Sequence, residues 1–176
     1  MLKSQIDRVE SGLRRVKARL PALPMDEILL SRLIIFLGRD ISATYDRLLK
    51  PQGLTDADFR VLAALFSQED SSAFPSDLCA AMAQSPANIT RISDALVERG
   101  LITRVLSEQD RRRMVLRITA KGAALLHEFF PQTSAQARAA FACLSQQEMG
   151  QIIAMLKRVA TALDAACTVN DPGLES

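Results

Sequence analysis

The chain has 176 residues, enough for one ordinary domain with a core of its own. Hydrophobic residues make up 48% and charged residues 24%, which excludes a disordered polyelectrolyte. Lys and Arg number 22 and Asp and Glu 20, so the net charge of +2 neither demands nor excludes a nucleic-acid partner, and local charge must decide.

Leu2, Ile6, Val9, Leu13, Val16 and Leu20 recur at steps of three and four, which predicts a helix over residues 1–20 with one apolar stripe. Its other faces carry Lys3, Arg8, Arg14, Arg15, Lys17 and Arg19. No apolar run and no small-residue cleavage site follow, so no targeting segment is expected. After Pro21 and Pro24 a long helix is predicted from Met25 to Lys50, with Leu30, Leu33, Ile34, Leu37, Ile41, Tyr45 and Leu48 in one row. Ile28, Leu29, Ile35 and Phe36 spill onto further faces, so the helix needs cover on several sides. A second subunit suits that need better than intramolecular packing alone. Ile28 to Leu37 is interrupted by Ser31 and Arg32 and falls well short of the ~20 residues of a membrane span. Pro51 and Gly53 end the helix.

Thr55 and Asp58 have capping-box spacing and open a helix carrying Phe59, Leu62, Ala63, Leu65 and Phe66. Gln68 to Ala73 reads as polar loop. A short helix follows from Pro75 to Ala83, capped by Ser76 or Asp77, with Leu78, Cys79 and Met82 inward. Ser85-Pro86 starts the next helix, which runs to Arg99 and stops at Gly100. Leu101–Leu106 and Met114–Ile118 lean toward strand and flank a charged tip, predicting a hairpin. Thr119 caps a helix that Pro131 should bend or break. Ser145 and Glu148 open the last helix, with Met149, Ile152, Ile153, Leu156, Val159 and Leu163 on one side, and Thr168–Ser176 reads as a loose tail.

Three Cys (Cys79, Cys143, Cys167), no two closer than 24 residues, form neither a zinc site nor a disulfide framework, so a reduced cytoplasmic setting is expected. Cys79 reads as a buried residue. His127 is the sole imidazole, and it reads as a packing or surface residue rather than a ligand or sensor. Without a Gly-rich phosphate loop or a metal cluster, and with one unremarkable His, neither an enzyme nor a cofactor or metal is expected.

Three helices at 55–67, 75–83 and 86–99 followed by a hairpin at 101–118 follow the winged helix-turn-helix plan. The fold class is therefore mainly α with a small β-hairpin wing, the winged domain (53–119) set within flanking helices (1–52 and 120–167). The third helix would be the recognition helix. Ile89, Ile92, Leu96 and Val97 form its buried side, and Ala87, Asn88, Thr90, Arg91 and Asp94 its outer side. Its first turn, opened by Ser85, is small and polar and offers free N–H groups to a phosphate. Arg91 suits a guanine edge and Asn88 an adenine edge in the major groove. From Pro86 to Arg117 seven Arg stand against four acids. The consecutive Arg111, Arg112 and Arg113 at the hairpin tip suit a narrow minor groove.

The run Asp110-Arg111-Arg112-Arg113-Met114-Val115-Leu116-Arg117-Ile118-Thr119-Ala120-Lys121-Gly122 resembles the wing signature of the MarR family of bacterial regulators, D-x-R-x-x-x-L-x-L-T-x-x-G, with Ile118 in place of a preferred Leu. Asn88-Ile89-Thr90-Arg91 and Leu96-Val97-Glu98-Arg99-Gly100-Leu101-Ile102 are similar to that family's recognition helix and the turn into the wing. The likeness spans about Asp26 to Asp164. Met25 to Leu33 further resembles the EmrR-like multidrug-efflux repressor branch. The resemblance implies a homodimer, built by the N- and C-terminal helices, that binds a pseudo-palindrome in double-stranded DNA. It implies that Asp110 supports Arg112 at the DNA. It also implies a small aromatic or phenolic effector, bound between dimer helices and winged domain, whose binding releases the DNA and induces an efflux or catabolic operon. For that effector, Arg32, Phe36 and Arg39 on the long helix, with Phe59 and Phe66 opposite, offer a cation and aromatic walls; the competing reading is core packing for the Phe and solvent for the Arg. Two alternatives stand beside this one: a redox-responsive regulator using Cys143 or Cys167, and a winged adaptor that binds no DNA. The basic helix at 1–20 has no assigned role.

Overall fold

The computed structural model describes residues 2–107 and 113–170, with 167–170 described by their backbone only. Helix α1 (Leu2–Arg19) packs against α2 (Met25–Leu49), with Ile6, Val9 and Leu13 of its stripe half-buried and Val16 exposed, and Arg39 of α2 donates from Nη2 to Gln5 Oε1 at 3.0 Å. None of the α1 residues is fully buried. Along α2 the apolar row divides. Leu33, Ile41, Tyr45 and Leu48 are half-buried and Leu49 is fully buried, while Leu30, Ile34, Ile35 and Leu37 stay 41–56% exposed. A short 3-10 turn (Lys50–Gln52) and Gly53, at φ 62°, end the helix where Pro51 and Gly53 predict.

Helix α3 (Asp56–Phe66) opens with the expected capping box: Thr55 Oγ1 accepts from Asp58 N at 3.2 Å, and Asp58 Oδ2 accepts from Thr55 N at 2.8 Å. Asp56 ties this end to α2, its N–H donating to Asp46 Oδ1 at 2.7 Å and its carboxylate accepting from Ser42 Oγ at 2.8 Å. The stretch 68–73, expected as loop, contains a strand, β1 (Ser72–Ala73). The Asp70 carboxylate accepts from Ser72 N at 3.1 Å and from Ser72 Oγ, and Ser72 and Ala73 pair with Arg117 and Leu116 of the later strand β3 (Met114–Ile118). Two residues carry no readable period, so pairing with a distant strand alone makes this a strand.

Helix α4 (Pro75–Met82) is not capped by Ser76 or Asp77. Phe74 holds the cap position without a side-chain bond, and Pro75 supplies the first helical φ. Helix α5 (Pro86–Glu98), β2 (Ile102–Leu106) and β3 (Met114–Ile118) follow as predicted. The sheet is antiparallel in the order β1-β3-β2, with Ile102 opposite Ile118 and Leu106 opposite Met114.

The core gathers Leu49 from α2, Val61, Leu62 and Leu65 from α3, Leu78 and Met82 from α4, and Ile89, Ile92 and Leu96 from α5. Leu101, Ile102, Leu116 and Ile118 close it from the sheet, with Leu126 and Phe129 from α6 (Ala120–Ala140). Each such side chain contributes about 1.5–3 kcal/mol by leaving water. Thr119 splices α6 to the turn before β2: its Oγ1 accepts from Gly122 N at 3.1 Å and donates to Gly100 O at 2.8 Å. Gly122 has no room for a side chain, since a Cβ would stand 2.2 Å from Leu101 O.

Helix α6 runs unbroken through Pro131, contrary to a break there. Buried Leu126, Phe129 and Thr133 hold the turns on either side, which offsets the one hydrogen bond Pro removes. By packing, the chain divides into a unit ending at Thr133 and a unit beginning at Ser134. In the second, α7 (Gln146–Asn170) opens with a capping box: Ser145 Oγ accepts from Glu148 N at 3.3 Å, and Glu148 Oε2 accepts from Ser145 N at 2.8 Å. Its row of Ile152, Ile153, Met155, Leu156, Val159 and Leu163 is 39–61% exposed. The helix reaches Asn170, past the expected start of a loose tail at Thr168. Thr168 to Asn170 contain no breaker, and the first one is Pro172, which disfavours helix at the residue before it. Residues 171–176 lie outside the described part. Among the described residues no helix is long and apolar enough to cross a membrane.

Candidate nucleic-acid interface

The turn between α4 and α5 sets the outer helix. Ala83 takes a left-handed conformation at φ 50°, and Gln84 N returns to Cys79 O at 3.0 Å. Ser85 caps α5 as predicted, its Oγ accepting from Asn88 N at 3.3 Å. Ile89, Ile92, Ser93 and Leu96 are buried; Val97, expected with them, is half-buried, and Ser93 takes the inward position. Period 3.6 then turns Ala87, Thr90, Arg91 and Asp94 outward, with Asn88 half-buried beside them.

These outer side chains are already engaged with one another. Asn88 Oδ1 accepts from Arg91 Nη2 at 2.9 Å and from Arg91 Nε at 3.3 Å, and Asn88 Nδ2 donates to Gln84 Oε1. Thr90 Oγ1 folds back to Pro86 O at 2.9 Å. Asp94 is ion-paired with Arg104 of β2. Gln84 and the Asp94–Arg104 pair were not picked out from the sequence. The i, i+4 and i, i+3 spacings of Gln84, Asn88 and Arg91 were the available signal.

The wing closes by Ser107 N donating to Arg113 O at 2.9 Å. Arg113 lays its guanidinium over the Phe74 ring, 3.8 Å from the centroid, a cation–π contact that ties the wing to the start of α4. Asp110, Arg111 and Arg112 lie outside the described residues. The excess of arginines is not all directed outward. Arg99 donates from Nη1 to Gly53 O at 2.7 Å and from Nη2 to Gln52 O, so it clamps the end of α2. Arg104 is paired and Arg117 is half-buried. Counting charge along the chain therefore overstates what faces a phosphate. Near the base of the wing the Asp70 carboxyl is held below its ordinary pKa, first by the Ser72 hydroxyl and then by the Ser72 N–H.

The residues expected to line an effector pocket fall into separate groups. Arg39 reaches Gln5 and stands 5.6 Å from the centroid of Phe36. Phe59 packs half-buried against the core, and Arg32 is exposed. Phe66 meets His127 of α6 edge to face, with centroids 5.4 Å apart. Among the described residues no hydrogen bond or ring contact joins the Phe36–Arg39 pair to Phe59 or Phe66. A cavity of about 730 Å³ lies elsewhere, at the base of the wing, with Asp70, Phe74, Asp77 and Arg117 in its wall. Exposed His127 is a packing partner of Phe66, in line with its reading as a packing or surface residue. Cys79 is half-buried rather than buried, Cys143 is exposed, and the Cys167 side chain is outside the description. Among the described residues no three His, Cys, Asp or Glu side chains converge as metal ligands.

A family model described as "MarR family" matches residues 52–113. The transcriptional repressor MprA of Escherichia coli (strain K12) is 33% identical over 163 residues, covering 93% of each chain. The crystal structure of AbsC, a MarR family transcriptional regulator from Streptomyces coelicolor, superposes with a TM-score of 0.73 at 25% identity. That match covers 81% of this chain and 97% of AbsC. Bordetella bronchiseptica BpsR, whose DNA binding is regulated by 6-hydroxynicotinic acid, superposes with a TM-score of 0.66 at 25% identity over 74% of this chain and 91% of BpsR. These relatives are regulators, not enzymes. A helix-turn-helix with a three-stranded wing, a Ser-Pro start to its outer helix and a relative matched almost end to end lead to one assignment: the chain belongs to the MarR family of winged-helix transcriptional regulators.

Proposed function

We propose that the chain is a cytoplasmic homodimeric repressor that binds a pseudo-palindromic operator and is released by a small aromatic or phenolic ligand, controlling an efflux or aromatic-compound operon. The observation that carries the DNA half is α5, rigidly buried on one side and presenting Ala87, Asn88, Thr90 and Arg91 on the other beneath a Ser85 cap. In this reading residues 53–119 read DNA, with α5 in the major groove and Asp110 to Arg113 reaching the flanking minor groove. Residues 1–52 and 120–167 hold the two copies together. The exposed apolar rows of α2 and α7 support that pairing, because such rows call for cover that one chain does not provide. The two recognition helices then meet half-sites about one helical turn apart, ~34–36 Å.

Control of BpsR by an aromatic acid supports a ligand of that class here, with Arg32, Phe36, Arg39, Phe59 and Phe66 as the residues to test first. Such a ligand releases DNA only by binding the DNA-incompetent spacing more tightly than the competent one. The test is a DNA-binding titration on the region upstream of the chain's own gene, with and without salicylate-like phenols. The expected result is tight, salt-sensitive binding of one dimer per palindrome, released by the phenol. Tight binding that ignores phenols but is lost on oxidation, and restored in a Cys143 or Cys167 variant, would replace the ligand half with a redox one. Absence of salt-sensitive binding to any DNA would favour a winged adaptor.

A further inference from the structure

We infer that Asn88 is not a second base reader but a positioning residue that presents Arg91 to a guanine; the inference rests on the DNA-reading role proposed for α5. Reading adenine in the major groove requires an Asn amide to accept from N6 and donate to N7 at once. The Asn88 Oδ1 has two acceptor sites, and Arg91 Nε and Nη2 occupy both, at 3.3 and 2.9 Å. One of the two Nδ2 N–H groups is given in turn to Gln84 Oε1, so the amide lacks the free acceptor, though not the donor, that adenine needs. Gln84 is anchored because its N–H is bonded to Cys79 O at 3.0 Å.

The bond from Asn88 takes one particular edge of the guanidinium. Nε and Nη2 form its side edge, so the end edge, Nη1 with the remaining N–H of Nη2, stays open as two parallel donors. A guanine offers O6 and N7 as two adjacent acceptors, and an adenine sets a donor beside N7. The open edge therefore matches guanine and clashes with adenine. The acid nearest to Arg91 on the helix, Asp94, is held by Arg104 and does not draw the guanidinium away. The chain Gln84–Asn88–Arg91 thus fixes a long exposed side chain before DNA arrives, which lowers the ordering cost of contact.

The experiment is selection from a randomised duplex library by the full-length protein and by Arg91→Ala, Asn88→Ala and Asn88→Asp, each first checked by thermal melting. The wild-type chain should select one G·C pair per half-site at the Arg91 position, with discrimination of about 10- to 100-fold. Arg91→Ala should abolish that preference. Asn88→Ala should weaken preference at the same pair and leave every other position unchanged. Asn88→Asp, which keeps acceptor oxygens for Arg91, should restore the preference, although overall affinity falls with the added negative charge. A chain carrying both Asn88→Ala and Arg91→Ala should select no worse than Arg91→Ala alone. Relaxation at a different, A·T position in Asn88→Ala would overturn the inference while leaving the DNA-reading function intact, as would an Arg91 position indifferent to Asn88→Ala. A wild-type chain that selects no sequence would overturn the DNA-reading function and the inference with it.

Discussion

Two amphipathic rows of the same kind meet opposite fates in this molecule. Ile89, Ile92 and Leu96 on α5 are each 1% exposed, whereas Ile153, Leu156 and Leu163 on α7 are 43–61% exposed. Both rows repeat at three and four residues, and both helices begin with a Ser cap. The first row packs against α3, α4 and β2 within its own unit; the second stays exposed. Periodicity specifies which face of a helix needs cover, and topology decides whether the same chain provides it.

That contrast is broken most severely at Gly122. Gly122→Ala places a Cβ on a backbone oxygen that cannot move without opening the Leu101 turn, and should cost about 3 kcal/mol or more in chemical denaturation. Next comes a matched pair. Leu96→Ala, at a fully buried site of the α5 row, should cost about 2–5 kcal/mol at every protein concentration. Leu156→Ala should cost under about 0.5 kcal/mol in dilute protein, with a larger effect on melting as concentration rises and a second copy covers the row. An equal, concentration-independent loss for both would mean that the two rows do not differ in the way their exposure indicates.

A smaller effect tests the turn that aims α5. Ala83 sits at φ 50°, where a Cβ is strained, so Ala83→Gly should stabilise the chain by about 0.5 kcal/mol in thermal melting, and Ala83→Val should destabilise it. The smallest effect is shared by both regions. Asp70 at the wing base and Glu148 at the start of α7 are both held below their ordinary pKa: Asp70 first by the Ser72 hydroxyl, Glu148 first by the Ser145 N–H. Depressed carboxyl pKa values contribute stability that is present above the ordinary value and lost as pH falls through the folded one. Asp70→Asn and Glu148→Gln should therefore each flatten the acid side of the stability profile slightly, below about pH 4–5, and leave pH 7 to 8 unchanged in slope.

The helices and their starts are written locally and read well. Thr55 with Asp58, Ser85 with Pro86, and Ser145 with Glu148 each form the cap their spacing predicts, because a cap involves residues at most three apart. What escapes local reading is contact across the fold. The strand at Ser72–Ala73 exists only through β3, and Phe74 acquires its role only from Arg113. Arg99 counts as a positive charge in the sequence and serves in the fold as a clamp on Gln52 and Gly53. At the candidate interface the outward row of α5 follows from period alone. The bond between Asn88 and Arg91, two residues read separately from the sequence, is a matter of rotamers.

The splice at Thr119 and Gly122 also bears on how the wing signature is to be understood. The signature joins two messages with different addressees. Its opening letters, Asp110 to Arg112, are charged and are the ones proposed to meet DNA; its closing letters, Leu116, Thr119 and Gly122, serve the chain itself, as a buried leucine, a hydroxyl bridging two segments and a gap one hydrogen wide. A descendant that kept the closing letters and lost the opening ones would build the same wing base and still be grouped with this family on sight. It would have the grammar of a regulator without its vocabulary.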